Sequence, residues 1–206
     1  MSELFVSAFV TFFVVIDPPC CAPIFASLTQ GASAAHRRAM AIRSVLIASG
    51  ILLFFALLGE NLLAALGVSL SAFKIAGGIM LFLIALEMVF EKRQERRSTR
   101  AEDVKRDGEA EDISVFPMGI PMIAGPGSIA SIMLLMARSE GLVGTLVVLG
   151  ALAAILLLTL AALLAAGPLM RLIGAKMEGM ITRLLGVILA ALAVQFVLDG
   201  LEATIA

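Results

Sequence analysis

Two proline-containing breaks, Asp-Pro-Pro at 17–19 and Gly-Pro-Gly at 125–127, each interrupt a membrane-length apolar segment near its middle, and they lie 108 residues apart. An interrupted helix cannot expose its backbone N–H and C=O groups to hydrocarbon, so each break has to face protein or a water-filled cavity. Paired breaks in the two halves of a hydrophobic chain are typical of a transporter's binding site. The breaks therefore constrain both the fold and the function.

The composition is that of an integral membrane protein. The chain is 61% hydrophobic and 15% charged, with a mean hydropathy of +1.07, whereas soluble domains are closer to half apolar and a quarter charged. Apolar stretches long enough to cross about 30 Å of hydrocarbon cover residues 4–28, 44–66, 70–90, 113–137, 142–166 and 180–198. We predict an all-α integral membrane protein of six transmembrane helices, with segments 1 and 4 discontinuous.

The basic residues are distributed unevenly between the loops. Thirteen of the 15 Lys and Arg residues lie in the loops after spans 1, 3 and 5, and only Lys74 and Arg138 lie elsewhere. The positive-inside rule then places those loops in the cytoplasm and both termini outside. The loop at 91–112 mixes both signs of charge and lacks aromatic residues, which predicts a solvated cytoplasmic linker, either irregular or partly helical, and no nucleic-acid binding.

The 108-residue offset extends beyond the breaks and indicates an internal repeat. Gly78 falls on Gly186, in segments 3 and 6. We expect repeat 1 at about 4–90 and repeat 2 at about 113–198, within a single membrane domain. Three spans per repeat force the second copy to insert with the opposite orientation, so the repeats are inverted. Small residues allow close helix contact in lipid, and this is the role expected for Gly77, Gly78 and Gly186.

The candidate substrate-binding residues lie at the two breaks. Asp17 is near the bilayer midplane, where a carboxylate is costly and usually functional. Asp17 and Gly125 occupy helix N-cap positions with Pro at the first helical position. Gly125 brings no side chain, so the N–H groups of Gly127 and Ser128 and the Ser128 hydroxyl are left for an anion such as a substrate carboxylate. Its ammonium group, or a coupling Na⁺ or H⁺, would lie toward Asp17. The alternative is that Asp17 only caps its helix and the prolines only kink packed segments.

Other chemistry finds little support in the sequence. No nucleophile–base set, phosphate-binding loop or zinc motif is present, and we expect neither enzymatic activity nor a cofactor or metal. The sequence leaves open whether copies of the chain associate.

Three motifs resemble those of the MarC family of six-span bacterial inner-membrane proteins. They are Asp-Pro-x-x-x-x-Pro-x-Phe at 17–25 followed by Leu28-Thr29, Ile-Ala-Gly-Gly at 75–78, and Ile-Pro-Met-Ile-Ala-Gly-Pro-Gly-Ser-Ile at 120–129. The resemblance covers essentially the whole chain. It implies location in the bacterial inner membrane and a grouping with small-metabolite exporters and neutral amino acid transporters.

Together these features favour a permease or exporter for a small polar metabolite, with a neutral amino acid as one candidate. A non-transporting scaffold or regulatory protein and a passive channel remain as alternatives. A polar cavity that connects the breaks to one membrane face favours the transporter, a packed centre the scaffold, and a pore open at both faces the channel.

The topology has a direct test. With both termini outside, a reporter fused at Ser98 should be active only as a cytoplasmic reporter, and one fused at the C-terminus only as an external reporter. A C-terminal fusion active in the cytoplasm would contradict both the orientation and the inverted repeat.

Overall fold

A computed structural model describes residues 2–106 and 112–205, with the backbone alone at 94, 100, 101, 103–106, 167–178 and 205. The third loop was predicted at 91–112, and its residues 107–111 lie outside the described residues. The described elements are α1 (Ser2–Ile16), α2 (Pro18–Leu28), α3 (Ala34–Ala65), α4 (Leu70–Val89), α5 (Lys92–Arg106), a bent segment (Ser114–Ile123), α6 (Pro126–Arg138), α7 (Gly141–Leu164) and α8 (Ala166–Ile205).

The helices confirm the predicted all-α membrane fold. Five described ranges are long and apolar enough to cross a membrane, and the bent segment with α6 makes a sixth. The first span, α1 with α2, is interrupted at Asp17 and is the most buried of them. The fourth span, the bent segment with α6, is bent by 51° at its break.

Two loops are shorter than predicted because helices continue beyond the hydrocarbon. The second span was expected from residue 44, but α3 begins at Ala34, where the Ser33 side chain accepts a hydrogen bond from the His36 N–H at 3.2 Å. The loop expected after the fifth span is helical, since α8 begins at Ala166. Charged residues are good helix formers once they lie in water, so hydropathy alone underestimates such helices.

The first half of the fourth span owes its shape to two prolines. Pro117 and Pro121 have no N–H to donate, and the residue before a proline is forced away from helical angles. Phe116 (φ −127°, ψ 130°) and Ile120 (φ −129°, ψ 127°) have extended backbones. The chain makes wide turns around these positions. One of them is closed by a hydrogen bond from the Ala124 N–H to the Gly119 carbonyl at 2.9 Å. Pro117, Met118 and Gly119 are buried, while Phe116 and Ile120 are exposed, so the irregular backbone is only partly enclosed by protein.

Helices α4 and α8 pack closely and antiparallel through glycines. A Cβ placed on Gly78 would lie 2.7 Å from Val197 Cγ2 and 2.8 Å from the Ala193 carbonyl oxygen. At Gly186 the corresponding distances are 3.0 Å to Val89 Cγ2 and 3.1 Å to the Ala85 carbonyl oxygen. These positions leave no room for a side chain, so the close helix contact expected at Gly78 and Gly186 is present.

The same contacts bear on the internal repeat. Adding 108 to Gly78, Ala85 and Val89 gives Gly186, Ala193 and Val197, so each contact has a counterpart with the two halves exchanged. A twofold axis between α4 and α8 produces this pattern. Superposition of the two complete repeats with residue n on n + 108 stays a prediction.

Replacement of Gly78 by alanine should destabilise the bundle. The added methyl group has to push against the Ala193 backbone, and overpacking of this kind typically lowers the free energy of unfolding by about 1–3 kcal/mol. Thermal unfolding in detergent would measure the change. The matched control is Gly150→Ala, because a Cβ there meets nothing within 4 Å. Equal melting temperatures for the two variants would contradict the close α4–α8 contact.

Candidate functional site: a cavity at the broken fourth span

Asp17 is the N-cap residue of α2, as predicted, but its side chain does not form a capping hydrogen bond. Its backbone is left-handed (φ 59°, ψ 65°), whereas a side-chain cap requires an extended residue. The Asp17 carbonyl instead accepts hydrogen bonds from the N–H groups of Cys20 and Cys21, each at 3.1 Å. The predicted side-chain cap is therefore wrong, because the backbone itself satisfies this helix end.

The Asp17 carboxylate has no hydrogen-bond partner among the described residues. Asp17 is only 1% exposed, and both of its carboxylate oxygens are buried. Arg93 and Arg97 act on it electrostatically. A buried carboxylate without a hydrogen-bond donor is unfavourable without a use, so Asp17 is a candidate for binding a cation or a proton.

The second break matches the prediction in its backbone. Gly125 is extended (φ −88°, ψ 172°) and α6 begins at Pro126. A Cβ on Gly125 would collide with the Pro121 carbonyl oxygen, and one on Gly127 would lie 2.6 Å from Ile84 Cδ1. The glycines therefore let neighbouring groups approach the start of α6, where the first N–H groups of a helix have no intrahelical partner.

The Ser128 hydroxyl has a different role from the one predicted. It donates a hydrogen bond to the Ile123 carbonyl oxygen at 2.7 Å, and Ser128 is 2% exposed. The bent segment leaves that carbonyl without a regular helical donor, and the hydroxyl satisfies it. Its proton is therefore not free for an anion, and only the backbone N–H groups of the predicted anion site remain.

Two arginines of α5 bind backbone carbonyls at the two breaks. Arg93, which is 7% exposed, donates to the Val15 carbonyl and to Met88 Sδ, the latter at 3.0 Å. Arg97 donates to the Met122 carbonyl at 3.2 Å. Val15 and Met122 precede the two breaks, so each guanidinium satisfies a carbonyl that the interrupted helix leaves free. The sequence had predicted a solvated linker for the third loop. The structure shows instead that part of this loop packs against the protein.

The environment of Arg93 is unfavourable to its charge. Burial lowers the pKa of Arg93 to about 10, and the neighbouring Arg97 charge acts in the same direction while Asp17 opposes it. Arg93 remains protonated at neutral pH, because that value lies well above 7. The charge is therefore held in a desolvated position by the carbonyl it binds and by the Asp17 carboxylate.

A cavity of about 620 Å³ lies beside the second break. It is lined by α5 arginines, the bent segment, the start of α6, one residue of α1 and two of α4: Val15, Ile84, Glu87, Arg93, Arg96, Arg97, Phe116, Ile120, Pro121, Met122, Gly125, Pro126, Gly127 and Ser128. Within it Arg96 forms a 2.7 Å ion pair with Glu87, whose second carboxylate oxygen is buried and has no partner in the described part of the chain. The cavity therefore presents three cationic side chains and the positive end of a helix.

The structure brings three of the four predicted site residues together. Gly125, Gly127 and Ser128 line the cavity, whereas Asp17 lies two residues beyond the lining residue Val15. Sequence reasoning placed neither the α5 arginines nor Glu87 in the site. The signal available was the four-residue spacing of Arg93 and Arg97, which puts both on one face of a helix.

Comparison with known proteins supports the family resemblance that the three motifs indicated. The model of the family described as MarC family integral membrane protein matches residues 2–205. The chain belongs to the MarC family. This confirms the resemblance inferred from residues 17–29, 75–78 and 120–129.

The relatives extend to archaea and bacteria. The chain is 36% identical to a UPF0056 membrane protein of Methanocaldococcus jannaschii, over 97% of each chain. It is 34% identical to the UPF0056 membrane protein YvbG of Bacillus subtilis, over 98% of this chain and 96% of YvbG. It is 35% identical to the UPF0056 inner membrane protein YhgN of Escherichia coli, over 98% of each chain. No solved structure matches the chain.

The carbonyl contact of Arg93 predicts a stability effect. Arg93→Gln should lower the melting temperature in detergent, because the shorter side chain leaves the buried Val15 carbonyl without its donor, a loss of about 1–3 kcal/mol. The neighbouring Lys92→Gln removes the same charge from an exposed position and should change little. Indistinguishable melting temperatures for the two variants would show that Arg93 does not support the first break.

Proposed function

We propose that this MarC family protein is a permease or exporter that binds a small polar metabolite, a neutral amino acid being the first candidate, in the cavity at the broken fourth span. The observation that carries the proposal is the position of this cavity. Its lining reaches Val15 before one break and Ser128 after the other, and every other lining residue belongs to α4, α5, the bent segment or the start of α6. A cavity that reaches the breaks and is lined by charged side chains is compatible with one state of an alternating-access transporter.

The cavity suits an anionic group. The N–H groups at the start of α6 and the positive end of its helix dipole favour an anion. Arg96 and Arg97 line the same cavity and each carries more donors than its contacts use. A volume of about 620 Å³ also falls within the usual range for small-molecule sites. A substrate carboxylate next to Gly127 is the arrangement we favour.

Asp17 follows the lining residue Val15 by two positions and supplies a negative charge near the cavity's α1 wall in the sequence. We propose that it takes the coupling ion, Na⁺ or H⁺, or the ammonium group of the substrate. Its carboxylate is buried and has no hydrogen-bond partner among the described residues, so a cation or proton would remove an unfavourable charge.

The two alternative functions predict a different structure at the centre of the helix bundle from the one a transporter needs. A scaffold or regulatory protein has no need for a charged cavity that reaches a broken helix, and a channel needs a passage to both faces. The cavity lining contains neither the residues of α1 before Val15 nor those of α6 after Ser128. These features favour the transporter, and the same proposal includes location in the inner membrane with both termini outside.

The test is transport by the purified chain in proteoliposomes. Uptake and efflux of neutral amino acids would be measured with an imposed Na⁺ or proton gradient. Asp17→Asn should abolish the dependence of transport on the gradient while the protein still folds, because Asn tolerates the left-handed backbone at this position. Glu60→Gln is the control, since it removes an exposed carboxylate at the far end of α3.

The outcomes separate the three functions. Gradient-driven transport that Asp17→Asn uncouples and Glu60→Gln leaves intact supports the permease. Unselective flux down either gradient would instead indicate a channel. If no amino acid moves with either gradient, the assignment of a neutral amino acid permease is wrong.

A further inference from the structure

A second cavity, of about 240 Å³, lies apart from the breaks, where α2 and α7 end and α3 begins. Its polar wall contains Arg37, Arg38 and Thr29, and its apolar wall contains Phe25, Leu163 and Leu164. Thr29 uses its hydroxyl to bind the Phe25 carbonyl at 2.8 Å, so the arginines are the polar groups left for a ligand. Because three helix ends meet here, this cavity lies at the membrane surface.

Arg37 and Arg38 differ from the other arginines of the described chain. Six others bind a carboxylate or a backbone carbonyl: Arg43 with Asp112, Arg96 with Glu87, Arg138 with Asp199, Arg183 with Glu91, Arg93 with Val15 and Arg97 with Met122. No ion pair or side-chain hydrogen bond joins Arg37 or Arg38 to any described residue. Among the side chains that the structure describes, the other arginines thus have partners, and these two adjacent charges have no counter-ion.

The position of this pair adds to its positive potential. Arg37 and Arg38 are the fourth and fifth residues of α3, a helix of 32 residues with no acidic residue in its first turn. The amino end of a helix carries partial positive charge, so cations here are disfavoured unless an anion lies nearby. An anion bound between the guanidinium groups would relieve the repulsion between the two arginines and the repulsion of each by the helix end.

The apolar wall indicates what kind of anion fits. Leu163 is buried, whereas Leu164 is 49% exposed and lies at the end of a membrane span. The cavity thus joins two arginines to the surface that the span presents to hydrocarbon. A free inorganic anion makes no use of this apolar wall, whereas a phospholipid has a phosphate for the arginines and an acyl chain for the leucines.

We propose that this cavity binds an anionic phospholipid, with its phosphate between Arg37 and Arg38 and an acyl chain along Leu163 and Leu164. The predicted topology places the cavity on the cytoplasmic side, where basic pockets between transmembrane helices bind anionic headgroups. The site does not depend on transport, since it shares no lining residue with the cavity at the broken fourth span.

The experiment compares lipid retention and melting temperature of the purified full-length chain. The probes are phosphatidylglycerol, phosphatidylcholine and inorganic phosphate at matched concentrations, with bound lipid counted by native mass spectrometry. Phosphatidylglycerol should be retained and should raise the melting temperature, and the other two should do neither. The double variant Arg37→Gln/Arg38→Gln should lose affinity for phosphatidylglycerol by roughly tenfold or more, because each juxtamembrane arginine contributes about fivefold.

The control removes two charges from the same predicted face outside the cavity. Lys92→Gln/Arg183→Gln should retain phosphatidylglycerol as the unmodified chain does. Equal loss in both double variants would show general surface attraction and overturn the site. Equal retention of phosphatidylcholine would overturn the role of the arginines, and equal stabilisation by inorganic phosphate would show a free-anion site instead of a lipid site.

Discussion

Backbone groups freed at the two breaks have to find partners inside the bundle, since lipid offers none. At the first break the Asp17 N–H binds the Phe13 carbonyl, and the Asp17 carbonyl receives the first N–H groups of α2. The Val15 carbonyl is bound by Arg93, and the Met122 carbonyl before the second break is bound by Arg97. Discontinuous spans are possible here because a charged helix between the repeats supplies the missing donors.

Some polar groups at the breaks have partners within the protein, and others are left for a ligand. The Val15 and Met122 carbonyls have donors, but the Asp17 carboxylate has no hydrogen-bond partner in the described chain and the start of α6 lines a cavity. The result is an acceptor of positive charge at one break and a donor to negative charge at the other. A zwitterion carries both complementary groups, which is why a neutral amino acid fits the proposal better than a simple ion does.

Hydropathy and the glycine and proline positions were sufficient to predict the six spans, the helix starts at Pro18 and Pro126, and the glycine contact at Gly78. These features follow from local rules on burial and backbone geometry. The inward arginines could not be found in this way, because the α5 residues are charged on every side and only a tertiary contact selects Arg93 and Arg97. The left-handed backbone of Asp17 and the internal bond of Ser128 likewise depend on how the interrupted turns are satisfied in three dimensions.

The linker helix also relates the two halves to each other. The Val15 and Met122 carbonyls differ from exact equivalence under the 108-residue offset by one residue, so α5 binds nearly corresponding points of the two repeats. Helices α4 and α8 already form a contact with the halves exchanged, whereas no other element of the described chain repeats the contacts of α5. Arg93 and Arg97 lie one helical turn apart. A single helix between the repeats therefore binds the backbone at both breaks.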